Sequence, residues 1–120
     1  MVKQWQIYFL NLNPVIGSEQ SGTRPELVIS SDAVNGLNQV TVLPITSFKG
    51  TERIYPNEVL LKMEYSGLPK DSIVLAHQIR SVDKQRLGSC VGQLVHMETI
   101  SKIQNAMFVQ AAVTTAAINS

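Results

Sequence analysis

A single cysteine, Cys90, stands in a chain of 120 residues, so no disulfide can close within it. That usage fits a reducing cytosol. Only two histidines are present, His77 and His96, and neither lies at HxxxH or HxxE spacing. With one thiol beside them, no zinc constellation can be assembled, and no metal site is expected. The sequence has no GxGxxG or GxxxxGK(S/T) loop to cradle a nucleotide and no GxSxG elbow. Chemistry that needs a bound cofactor is thereby excluded. Long apolar runs are missing as well. Ile7-Tyr8-Phe9-Leu10 is too short for the ~7–15 apolar residues of a signal peptide. Residues 106–118 fall short of the ~20 a membrane helix needs and carry Gln110, Thr114 and Thr115. A soluble cytoplasmic protein with no membrane contact is expected. Net charge is nearly absent too, at +1, so a polyanion partner must be met by a local patch.

What is present describes one globular domain, residues 1–120. Hydrophobic residues make up 44% and charged residues 16% of the chain, which is neither disordered nor fibrous. A chain of this length buries roughly 65% of its unfolded surface, enough for one core. Short runs rich in Val, Ile, Leu and Tyr predict strands at Gln6–Asn11, Glu26–Ser30, Gln39–Ile45, Glu58–Lys62, Ser72–Arg80 and Ser89–Val95. Turn residues separate them, among them Asn13-Pro14, Asn35-Gly36, Gly50, Gly67 with Pro69, and Gly88. No long crossover helix intervenes, so antiparallel sheets or a small barrel are expected, in an α+β but mostly β domain.

After Val95 the period changes. Met97, Ile100, Ile103 and Met107 recur at helical steps, with Glu98 in the first turn where the dipole favours an acid. From Ile103 to Ser120 there is no charge at all, which predicts a helix buried against its own sheet and a second subunit.

Residues 13–31 read NPVIGSEQSGTRPELVISS, a long polar loop closing on Arg24-Pro25. Pro25 biases Arg24 away from the helical region, holding its guanidinium where a strand begins. Glu19 or Glu26 could pair with it. Residues 43–47 read LPITS, with Thr46 just past an apolar strand, and residues 77–88 read HQIRSVDKQRLG. Taken in order with NPxxGSEQxGxRPxLVIS, these segments resemble the MazF/PemK family of toxin–antitoxin endoribonucleases. The likeness runs from about Gln6 to Met107 and includes SFKGTERIYPNEV.

The resemblance implies an SH3-like small barrel of antiparallel strands with a C-terminal α-helix, forming a homodimer. It implies metal-free cleavage of single-stranded RNA, often mRNA, at short sequence motifs. A cognate antitoxin would hold the enzyme inactive by occupying the RNA groove. The family's catalytic positions fall on Arg24 and Thr46. Ser18, Glu19 and Gln20 fall on its substrate-contacting loop, and Gln78 and Arg80 on its Gln-hydrophobic-Arg/Lys element. Three positions that are usually acidic in the family are Gln6, Asn11 and His77 here. Those losses leave room for a catalytically inactive relative that binds RNA or antitoxin. A CcdB-like gyrase poison would share the fold, but that group typically ends in Trp-Gly-Ile, where this chain reads Ala117-Ile118-Asn119-Ser120.

Elementary chemistry fits the assignment. Metal-free RNA cleavage needs a base for the 2′-hydroxyl, a cation for the developing phosphorane charge and a donor for the leaving 5′-oxygen. Arginine grips phosphate bidentately, which suits Arg24. The Thr46 hydroxyl can donate to a phosphate oxygen or orient the nucleophile. Arg80, Lys84 and Arg86 against Asp83 form the most basic stretch. With Lys49 and Arg53 they could hold phosphates without reading sequence. Tyr8, Phe48 and Tyr55 are candidates for stacking on bases. His77 is two-sided. In a regular strand it shares a face with Ile73, Leu75 and Ile79, as a core residue would, yet an imidazole can also take a 2′-hydroxyl proton.

Overall fold

The computed structural model describes residues 1–11 and 23–119, the side chains of residues 23 and 112–119 excepted. Among these residues seven strands are formed: β1 (Gln6–Asn11), β2 (Thr23–Val28), β3 (Gln39–Ser47), β4 (Glu58–Leu61), β5 (Ser72–Leu75), β6 (Arg80–Asp83) and β7 (Leu87–Gln93). A four-residue helix, α1 (Met63–Ser66), follows β4, and α2 (Met97–Asn119) follows β7. Every pairing is antiparallel, along the path β4-β5-β3-β2-β1-β7, with β6 also on β3. The expected antiparallel sheet with a C-terminal helix is therefore present.

Boundaries moved in ways the local chemistry explains. The second strand starts earlier than its apolar run, at Thr23, and takes in Arg24-Pro25. Pro25 falls where β2 is paired to β1 alone, since β3 joins only from Glu26 onward, and a proline is tolerated at such an edge. β3 runs on to Ser47, so Thr46 lies within the strand. Lys62 leaves its strand to start α1, which Gly67 ends in the left-handed region at φ 80. A Cβ on Gly92 would collide with the Ser66 carbonyl, so glycine is what lets α1 approach β7 this closely.

The single strand expected over Ser72–Arg80 is divided. Ile45 pairs with Val74 of β5, whereas Val42 pairs with Arg80 of β6. Two residues of β3, Leu43 and Pro44, thus stand against five of the facing segment, and the excess folds into a 3-10 turn at Ala76–Gln78. Pro44, which has no N–H to give to a ladder, sits at this break. Ala76 turns inward and is buried, while His77 is exposed, so the core placement of that histidine is overturned.

Alternation along the strands produces two faces. Ile7, Leu27, Leu43, Ile45 and Val74 belong to the main core, together with Ile100, Ile103 and Ala106 of α2. Leu10, Val28, Val40, Val42 and Val82 form a second, smaller cluster at the opposite face. Met107 packs against the main core as its spacing predicts, but Met97 is 72% exposed. At the helix start the contact is made instead by His96. Its ring stacks on Tyr65 at 3.6 Å, and its Nδ1 accepts from the Thr99 backbone N–H at 3.3 Å.

Candidate nucleic-acid interface

The second face carries the polar chemistry. Tyr8 is opposite Glu26, and Glu26 is opposite Pro44, forming one row across β1, β2 and β3. Continued two residues past its last bonded pair, the β2–β3 register sets Arg24 level with Thr46. Both residues lie on the face that holds Glu26. From Ile45 onward β3 also pairs with β5, so Arg24 and Thr46 flank the fork at which the β2–β3 ladder ends. Arg24 is half-buried and Thr46 exposed.

Glu26 is the group whose partner the sequence did not reveal. It is 0% exposed, and its Oε2 accepts from Arg80 Nη2 at 2.8 Å, an ion pair made across the sheet rather than with Arg24. Its Oε1 is buried with no hydrogen-bond partner among the described residues. Burial pushes the Glu26 carboxyl above its usual value, against the pull of the Arg80 hydrogen bond and the charges of Arg80 and Arg24. The available signal was an acid at a period-two position between Arg24 and Val28.

Arg80 is 44% exposed at its side chain, so one edge of the guanidinium is tied down and the rest faces outward. It lines a hollow of about 510 Å³ with Leu10, Gln39, Ser81, Val82, Asp83 and Arg86. A neighbouring hollow of about 350 Å³ shares Asp83 and Arg86 and reaches Asn11 and Gln85. The basic stretch thus folds so that Arg80 and Arg86 flank a common depression. Lys84 departs from it, because its Nζ donates to the Asn35 carbonyl at 2.8 Å and anchors the β2–β3 connection. Tyr8, half-buried on the same face, donates its hydroxyl to Gln6 Oε1 at 2.8 Å. Its pKa is pushed up by burial first and by neighbouring Cys90 second, which keeps it a donor.

The remaining candidates lie elsewhere. His77 lines a cleft of about 640 Å³ with Tyr55, Pro56, Asn57, Glu58, Val109 and Gln110, at the edge of α2. Its Nε2 is 3.3 Å from Nε2 of Gln78. Arg53 lies over the Tyr55 ring at 5.0 Å. The Lys49 side chain is exposed on a loop that Glu52 closes by accepting from the Lys49 backbone N–H at 2.9 Å. That bond is the main cause holding the Glu52 carboxyl below its usual value. Phe48 is half-buried. Ser18, Glu19 and Gln20 lie outside the described residues.

An antiparallel sheet sealed on one face by a C-terminal helix carries Arg24 and Arg80 around a buried acid on the other. The family model of PemK-like, MazF-like toxins of type II toxin–antitoxin systems matches residues 3–109, and the chain belongs to that family. Endoribonuclease EndoA of Bacillus subtilis is 33% identical over 114 residues, spanning 93% of this chain and 96% of that protein. MazF from Deinococcus radiodurans superposes with a TM-score of 0.70 at 27% identity, over 92% of this chain and 96% of that one. A mycobacterial endoribonuclease solved in complex with its cognate antitoxin shares the fold. Its TM-score is 0.73 at 24% identity, over 93% of this chain and 96% of that one. No helix among the described residues is long and apolar enough to cross a membrane.

Proposed function

We propose that this toxin is a sequence-specific endoribonuclease that cuts single-stranded RNA, mRNA included, without metal or cofactor, and is silenced by a cognate antitoxin. One observation carries the reading: Arg24 lies level with Thr46, on the face that also presents Arg80, in a chain of this family. The kinship with EndoA, named an endoribonuclease, supports the activity, and the mycobacterial complex supports the partner.

In this mechanism the RNA's own 2′-oxygen attacks the adjacent phosphorus while the bond to the 5′-oxygen breaks. The products are a 2′,3′-cyclic phosphate and a 5′-hydroxyl. Arg24 meets the charge that develops on the phosphorane oxygens, and Thr46 donates to a phosphate oxygen or to the leaving group. Arg80, Lys49 and Arg53 contact phosphates, and Ser18, Glu19, Gln20 and Gln78 contact the substrate strand. His77 is the candidate acceptor of the 2′-hydroxyl proton, supported by its exposure. That role requires the imidazole to come within hydrogen-bond reach, directly or through one water, of the 2′-hydroxyl beside the phosphate that Arg24 holds.

Residues 1–120 act as one cytoplasmic domain, its sheet coiled as an SH3-like barrel. Two copies form the working unit, with the exposed Phe108 and Val109 of α2 available for the contact.

Purified protein is incubated with total RNA in EDTA, and cut sites and end groups are mapped. Full activity with cyclic-phosphate ends is expected. A 5′-phosphate end, or equal cleavage of an all-DNA strand, overturns the mechanism. His77→Gln should abolish the rise of single-turnover rate between pH 5 and 8 that a base imposes. An unaltered profile in that variant removes His77 from the reaction.

A further inference from the structure

Glu26 is anomalous for a strand interior. A carboxylate with no solvent exposure is expensive unless both oxygens are satisfied, and here Oε1 has no partner among the described residues. Val28 and Val42 beside it on the same face show what packing alone would place there. Arg80 does not require it either. With 44% of its side chain exposed, that guanidinium would remain hydrated without a partner. The pair therefore costs the fold stability, and its return must be sought in what it orders. It fixes one Nη of Arg80 and leaves the outer donors of the fork facing the hollow shared with Arg86. It also places a negative charge between Arg80 and Arg24, which would otherwise repel each other across the row. The groups facing it are Arg80 from β6, Arg24 on its own strand, and Tyr8 from β1 with Cys90 of β7 behind that ring. From β3, Pro44 stands opposite it and Val42 beside it, and neither carries a charge.

We infer that Glu26 is a positioning residue for RNA cleavage: its buried carboxylate holds Arg80 beside Arg24 so that both guanidinium groups face one stretch of the phosphate backbone. It touches no substrate and acts through Arg80. This inference rests on the endoribonuclease reading and adds to it a residue with no direct chemistry.

The test measures single-turnover cleavage of an RNA containing a mapped site, together with melting temperature. It uses the wild-type chain, Glu26→Gln, Glu26→Leu, Arg80→Ala and the double variant Glu26→Gln/Arg80→Ala. Both Glu26 variants should melt at or above the wild-type temperature yet cleave about tenfold more slowly, less than the ~10²–10³-fold lost with a direct donor. In the Arg80→Ala background the Glu26 change should have no further effect on rate. Equal cleavage by wild type and both Glu26 variants overturns the role, as does a rate loss that persists undiminished without Arg80. Failure of both variants to fold overturns it too, since the carboxylate would then be structural. A wild-type chain that cuts no RNA overturns the enzymatic reading itself, and is distinguished from these outcomes by the wild-type lane alone.

Discussion

Under α2 the sheet presents Ile7, Leu27, Leu43, Ile45 and Val74, all buried and all apolar. Alternate residues of β1, β2 and β3 give the opposite face Tyr8, Arg24, Glu26, Pro44 and Thr46, and β6 adds Arg80. The backbone of β2 serves both, so the difference is made by side-chain alternation alone. On the covered face tolerance is set by volume, because a helix closes it. On the other face charge balance counts beside volume, because arginines that solvent reaches stand over a buried acid next to the smaller cluster of Leu10, Val28, Val40, Val42 and Val82. Stability and proposed activity are thereby assigned to alternate residues of one strand.

Four changes test that division, in order of expected effect. Ile103→Asp places an unpaired carboxylate at a fully buried position of the covered face, at a cost of several kcal/mol. The cooperative thermal transition should be lost, and a variant that melts like wild type would break the comparison. Arg24→Ala on the open face should do the reverse, leaving the melting temperature alone while cleavage falls ~10²–10³-fold. Retained cleavage in a stable variant removes Arg24 from the reaction.

Acidification provides the third. The Glu26 carboxyl is raised in the folded state, so the folded chain binds that proton more tightly than the unfolded one. The stabilisation is complete below the ordinary carboxylate value and is lost as pH rises through the folded one. Glu26→Gln should therefore exceed wild type in melting temperature most at neutral pH, and the gap should close toward acid. A constant gap across the titration contradicts a raised carboxyl. Smallest, Lys84→Ala should cost about 1 kcal/mol through loss of its bond to the Asn35 carbonyl, with the cleavage rate unchanged. A slowed but stable Lys84→Ala protein would return that lysine to the phosphate-binding group.

Much of this division could be read from the chain. The β1 limits, the existence of α2 and the burial of Ile100 and Ile103 follow from local pattern, because a short apolar run marks β1 and apolar residues at helical steps mark the buried stripe of α2. Arg24 and Thr46 were singled out through the order of the motifs around them, and the β2–β3 register sets them level. Three features were not. The partner of Glu26 depends on which residue of a distant strand stands opposite Val42, and local pattern carries no register information. Lys84 belongs to a basic run yet binds a carbonyl forty-nine residues away, a contact set by how β6 meets the β2–β3 connection. Met97 continues the apolar spacing of α2 yet is exposed, while the neighbouring His96 ring stacks on Tyr65, and spacing alone distinguishes neither.

The three surplus residues between β5 and β6 have a further consequence. Had β5 kept its own phase, residue 77 would have faced Val42, and an imidazole would have occupied the position now taken by Arg80. The insertion thus exchanges one side chain for another at a fixed point in space, with no change of amino acid. A guanidinium stays cationic at any acidity a cell reaches, whereas an imidazole would switch near neutrality. The group proposed to grip phosphate on that face is thereby one that keeps its own charge, and the imidazole is sent to a separate cleft beside Tyr55 and Val109.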